Sequence, residues 1–186
     1  MSVLVTGSAI RGLPVVTIRG GEDVAEVRDV IYSPEAGRIV GLTLNKRGFL
    51  AGRRREVLSA ETIHAIGPDA VMIEDESSLI LPENSPAGLG TPPSGRDVTG
   101  NEVLTEAGAS LGQVRDIVVL VGSTGTVVGY EIDAAAGGTG YIPLPKQLAV
   151  SGSALVVPDA TKEFIEDNLV GLAAAVDKFR SEAESR

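Results

Sequence analysis

Glu26-Val27-Arg28-Asp29-Val30-Ile31 returns as Gln113-Val114-Arg115-Asp116-Ile117-Val118, 87 positions later. Beyond the next turn, Ile39-Val40-Gly41-Leu42 returns as Val127-Val128-Gly129-Tyr130, now 88 positions on. Upstream, Val16 and Gly21 match Val103 and Gly108; downstream, Ile63, Gly67 and Val71 match Leu148, Gly152 and Val156. Small changes of spacing between copies are what loops absorb and strands do not. A unit this long, present twice, points to a duplicated domain or two halves of one barrel, since a solenoid needs three or more units.

Inside each copy the hydrophobic period is two. Residues 3–6, 13–18, 27–32 and 39–45 read as strands in the first copy, with a Pro- and Gly-bounded turn at 33–37. A short helical piece is expected around 60–63, and another strand at 70–74. Residues 101–105, 113–121, 126–132 and 148–157 repeat the series, and Pro143 and Pro145 force residues 141–145 to be extended. Between the copies, Pro82, Pro86, Pro92 and Pro93 alternate with Gly88, Gly90 and Gly95, the composition of a linker. Only near the end does the period change. Ile165, Leu169, Leu172, Val176 and Phe179 make an apolar stripe at helical spacing, with Asp159 or Thr161 as the expected N-cap. The expected organisation is a first repeat over 1–81, a linker over 82–97, a second repeat over 98–158 and an amphipathic helix over 159–186. The fold class is mainly β: two small tandem barrels plus one C-terminal α-helix.

Composition narrows the function. Aromatic residues are 3% of the 186-residue chain against 43% hydrophobic, so the core is built from Val, Ile, Leu and Ala. The net charge of −9 argues against nucleic acid as a general partner, which needs a basic surface. With no Cys, thiol chemistry and disulfides are excluded, and a single His excludes a multi-His metal site. No apolar run approaches the ~20 residues that span a bilayer, and no signal peptide is readable, so a cytoplasmic location is expected.

Taken together, Val27-Arg28-Asp29, Val40-Gly41, Ile63 and Gly67 in one copy, and Gly112, Val114-Arg115-Asp116, Val128-Gly129, Leu148 and Gly152 in the other, resemble the PRC-barrel domain. That family includes the cytoplasmic part of the photosynthetic reaction-centre H subunit and the C-terminal half of a ribosome-maturation factor. The resemblance implies a small barrel that acts as a scaffold or adaptor and binds protein. It covers most of residues 12–158 and implies no chemistry of its own.

Residue by residue, no catalytic constellation emerges. Arg28 and Asp29 are adjacent on a strand and so point to opposite faces, where the carboxylate can accept turn N–H groups. Residues 3–12 imitate a strand entering a nucleotide-binding glycine turn, but Pro14 and a β-branched run follow where a helix should open. Residues 95–100 have P-loop spacing, yet Asn101 stands where Lys is required. His64 lacks companions for a metal. Lys46, Arg47, Arg53, Arg54 and Arg55 put five cations into ten residues of an acidic chain, read as one basic loop, and the second copy is neutral there. This loop suits an acidic protein partner or a local RNA phosphate contact, or is simply solvated. The helical stripe either covers the second barrel or pairs with a symmetry mate as a homodimer surface. The expectation is therefore a non-enzymatic adaptor without cofactor or metal, whose paired barrels bind a protein of unknown identity. The alternative is an RNA- or ribosome-associated maturation factor using residues 46–55.

Overall fold

The computed structural model describes residues 2–34, 36–48, 52–85, 89, 98–145, 149–151 and 153–183. The strands are β1 (Leu4–Thr6), β2 (Pro14–Thr17), β3 (Asp23–Ser33), β4 (Arg38–Asn45), β5 (Arg53–Ser59), β6 (Ile63–Ile66), β7 (Val71–Ile73) and β8 (Leu79–Ile80) in the first part. They continue as β9 (Glu102–Thr105), β10 (Ser110–Leu120), β11 (Val127–Ala134), β12 (Thr139–Pro143), β13 (Ala149–Ser151) and β14 (Ala154–Val157). One helical turn, α1 (Gly7–Ile10), follows β1, and α2 (Leu169–Ala183) ends the fold.

Two curled, half-barrel sheets result, and they are copies of one another. The first runs β6-β7-β2-β3-β4-β5-β8 and the second β13-β14-β9-β10-β11-β12, with β1 added beside β10. Each contains one parallel pair at the equivalent place, β2 with β7 and β9 with β14. The irregularities match too. Val27 faces Leu44 and Asp29 faces Thr43, so Arg28 is the extra residue of a β-bulge; Val114 faces Ile132 and Asp116 faces Glu131, so Arg115 repeats it. On the partner strand Val40 and Val128 are likewise passed over. Bulges bend a strand and increase its twist, which lets short sheets curl. The repeated Val-Arg-Asp and Val-Gly motifs are therefore the sequence trace of two curvature points per copy.

The copies join about a pseudo-two-fold relation. Ile39 donates its N–H to the Gly125 carbonyl at 2.8 Å, and Val127 donates to the Gly37 carbonyl at 3.3 Å. Ile39 and Val127, like Gly37 and Gly125, are 88 positions apart. The same contact is thus made twice, as in a symmetric dimer. Behind it lies one shared core, in which Val27, Leu42, Leu44 and Ile66 pack in a single cluster with Val114, Tyr130, Ile132 and Ile142.

The division of the sequence at 81 and 98 does not divide the structure in space. β1 belongs by sequence to the first repeat but pairs with β10 of the second, Leu4 facing Leu120 and Thr6 facing Val118. Leu4 packs there with Val118 and Val128. Leu89, from the expected linker, is buried over the first sheet with Ile31, Val57 and Val40. Ile31 and Val40 are the repeat equivalents of Val118 and Val128, so each sheet is covered by an apolar residue lying upstream of the other copy. The linker thus has an apolar anchor that its composition hid; residues 86–88 and 90–97 lie outside the described residues, as do Leu148 and Gly152.

The C-terminal helix starts later than the expected boundary at 159. Residues Asp159–Phe164 form a 3-10 helix, and Glu166 exchanges backbone hydrogen bonds with Tyr141 at 2.8 and 2.9 Å. That bridge holds the chain extended, so α2 begins only after Asn168, whose side chain accepts the Gly171 N–H at 2.8 Å. Asp159, expected as N-cap, instead accepts the Ala107 N–H at 2.9 Å.

Candidate functional site

A cavity of about 510 Å³ opens between the two copies. Equivalent residues of both reach it: Asp29 and Asp116, Val30 and Ile117, Arg11 and Thr99. Apart from Gly7 and Val98, the rest of its wall is one-sided. Arg28 and Tyr32 from β3, Arg53, Arg54, Arg55 and Val57 from β5, and Leu89 all come from the first sheet or its cover.

The strand geometry of β5 sorts its arginines. Arg54 Nε is 3.3 Å from a Glu56 carboxylate oxygen, so residues 54 and 56 share a side. Arg54 also donates to the Val24 carbonyl at 2.6 Å and to Glu76 at 2.9 Å, with only 18% of its side chain exposed. It is a clamp holding β5 to its surroundings. The Glu56 backbone N–H, followed by the charges of Arg54 and Lys46, holds the Glu56 carboxyl below its ordinary pKa. Arg53, Arg55 and Val57 alternate onto the other side and line the cavity together.

Partnering separates the cations further. Arg11 pairs with Asp29, Arg19 with Glu74 and Asp75, Arg47 with Asp23 and Glu26, and Arg115 with Glu131 and Asp133. Arg28, Arg53 and Arg55 have no carboxylate within 4.0 Å among the described residues, and neither do Arg38 and Arg180 elsewhere. Three of these five converge on one cavity in a chain of net charge −9. Arg28 is half-buried there, standing at the bulge. Thr43 also faces the cavity, and its buried hydroxyl has no hydrogen-bond partner among the described residues.

The Asp of each repeated motif is structural. Asp29 Oδ1 accepts the Val30 N–H at 2.9 Å and the Arg11 Nε–H at 3.0 Å. Asp116 accepts the Ile117 N–H at 2.8 Å and the Ser8 N–H at 2.7 Å, tying α1 to the second sheet.

The expected basic loop is therefore not one surface. Arg53, Arg54 and Arg55 lie on β5 rather than on a loop tip, because β5 starts at Arg53 as the partner of Asn45. Arg47 is held by Asp23 and Glu26 away from the cavity, which Lys46 does not line either. Sequence reading missed Arg11, and set Arg28 aside on the expectation that it and Asp29 point to opposite faces; the bulge at Arg28 breaks that alternation, and both line the cavity. The helical stripe is not an open surface. Leu172 and Val176 are buried against Leu4, Val118 and Val128, Leu169 is half-buried beside them, and Phe179 packs edge-on against Phe164 at 5.2 Å. Ile165 precedes the helix and is exposed. Leu172, Val176 and Phe179 of the stripe are thus covered by the chain's own sheet and by Phe164. His64 is exposed on β6. Among the described residues no three His, Asp or Glu groups could hold a metal ion, and no helix is long and apolar enough to cross a membrane.

Among known families, the PRC-barrel domain matches residues 3–80, which is the first copy together with the arm that covers the second. No curated protein matches the chain.

Proposed function

Starting from the fact that residues 3–80 are a PRC-barrel domain, we propose that the chain is a non-catalytic adaptor that docks an acidic segment of a protein partner at the arginine-lined cavity. One observation carries this reading. Arg28, Arg53 and Arg55 lack carboxylate partners among the described residues, although acidic side chains outnumber basic ones 25 to 16 in the chain. Guanidinium groups left in that state favour a carboxylate brought from outside. The cavity's apolar wall would exclude water around such a contact and strengthen it.

The test is a titration of the whole chain with a fluorescent acidic decapeptide and, separately, with an RNA decamer. The adaptor reading expects the peptide to bind, and the Arg28→Gln/Arg53→Gln/Arg55→Gln triple variant to lose it. Lys46→Gln and Arg47→Gln should bind as the parent does. Tighter binding of the RNA, weakened mainly by the Lys46 and Arg47 changes and by salt, would replace this reading with the ribosome-associated one.

A further inference from the structure

Exposed ion pairs contribute little affinity on their own, so an arginine rim alone does not make a specific docking site. What lies behind the rim is apolar. Val30, Ile31, Val57, Leu89 and Ile117 line the cavity beside the Tyr32 ring, and its volume of about 510 Å³ exceeds what a bare carboxylate occupies. Buried anchors that fill such pockets, ringed by polar contacts, dominate the energetics of protein recognition.

The order of these groups along β5 is definite. Arg53, Arg55 and Val57 line the cavity across an irregularity of the strand, with the exposed cations at one end and the buried apolar side chain at the other; Arg54 reaches the cavity too, but is held by Val24, Glu56 and Glu76. An extended segment lying alongside presents every second side chain to the cavity, at roughly 3.3 Å of rise per residue. Resting on the adaptor reading above, we infer that the docked segment carries the pattern acid-x-acid-x-apolar in extended form. Its two carboxylates meet Arg53 and Arg55, with Arg28 available to the inner one. Its large aliphatic side chain enters the cavity beside Val57 and Leu89. Charge complementarity to the arginines favours a short acidic segment, whereas two copies of the chain, each of net charge −9, repel one another as wholes.

Three acetylated, amidated peptides test it on the unmodified full chain by calorimetry. Their cores are Glu-Ser-Glu-Ser-Leu, Glu-Ser-Glu-Ser-Ser and Glu-Glu-Ser-Ser-Leu. The first should bind about tenfold or more tightly than either of the others, the usual scale for losing a buried anchor or its register. The Arg55→Gln chain should lose the preference for the first core. Equal affinity of the leucine and serine peptides overturns the apolar anchor, and equal affinity of the respaced peptide overturns the spacing; in both cases acidic docking survives. No binding by any of the three removes the adaptor reading itself, and this inference with it.

Discussion

The hydroxyls of Tyr32 and Tyr130, one from each copy, stand 2.6 Å apart inside the shared core, their rings edge-to-face at 6.2 Å. They are not repeat equivalents, so the contact breaks the pseudo-symmetry at the centre of the molecule. Each phenol satisfies the other in the buried core, one donating and one accepting, as burial demands. Burial pushes Tyr32 up to about 12 and raises Tyr130 as well, the neighbouring phenol adding to the rise in Tyr130.

That pair predicts alkaline sensitivity. Both folded-state pKa values lie above the ordinary value of about 10, so the fold favours the neutral phenols. Their contribution is complete below pH ~10 and is lost as pH rises toward about 12 and through it. Urea unfolding followed from pH 8 upward should show stability falling above pH ~10, by as much as ~1.4 kcal/mol per pH unit for each tyrosine. Free titration of all three tyrosines near pH 10 with the fold intact would contradict it.

The glycines of the Val-Gly motif carry a packing prediction. A Cβ on Gly41 would lie 2.8 Å from the Leu58 carbonyl oxygen and 2.7 Å from Leu89 Cδ1. A Cβ on Gly129 would strike the Ile142 carbonyl oxygen, the same place in the other copy. Backbone cannot yield as a side chain does, so Gly41→Ala and Gly129→Ala should each cost about 1–3 kcal/mol. Gly52→Ala, with nothing within 4 Å of the added carbon, should be neutral or slightly stabilising. Denaturant midpoints decide between them, and equal midpoints for Gly52→Ala and Gly129→Ala would count against the close approach.

Neighbouring arginines should behave oppositely. Arg54 is held by Val24, Glu56 and Glu76, so Arg54→Ala should lower stability by about 1–3 kcal/mol. Arg55 is exposed with no carboxylate partner among the described residues, so Arg55→Ala should change stability by less than ~0.5 kcal/mol while weakening acidic-peptide binding. Thermal melts and peptide titration on the same two variants give the comparison. A destabilised Arg55→Ala with unchanged binding would reverse the assignment.

The repeat was legible because its bulges and close glycines demand particular residues: Arg28 and Arg115 occupy the extra positions, and Gly41 and Gly129 admit no side chain. Period two revealed the strands for the same local reason. The late start of α2 was not legible, because it depends on Glu166 pairing with Tyr141, a tertiary contact that overrides a helical pattern already running at Ile165. The cavity was half legible. Arg53 to Arg55 stood out as charge, but nothing local to Arg11 or Arg28 says that an arm and a bulge carry them to the same place.

The crossed covering of the sheets gives the most specific expectation. Leu4 is 8% exposed over Val118 and Val128, and Leu89 is 3% exposed over Ile31 and Val40. Truncating a buried leucine typically costs about 2–5 kcal/mol, but the loss should appear in different sheets. Leu4 lies in the first repeat by sequence, yet Leu4→Ala should speed amide exchange in β10 and β11, the strands it covers. Leu89→Ala should speed exchange in β3 and β4 and leave β10 and β11 closer to the parent, since local openings follow local contacts. Hydrogen exchange read strand by strand distinguishes the crossed arrangement from a simple tandem one. If Leu4→Ala instead loosened β3 and β4, the arm would belong to its own repeat, and β1 would have no role in joining the two copies.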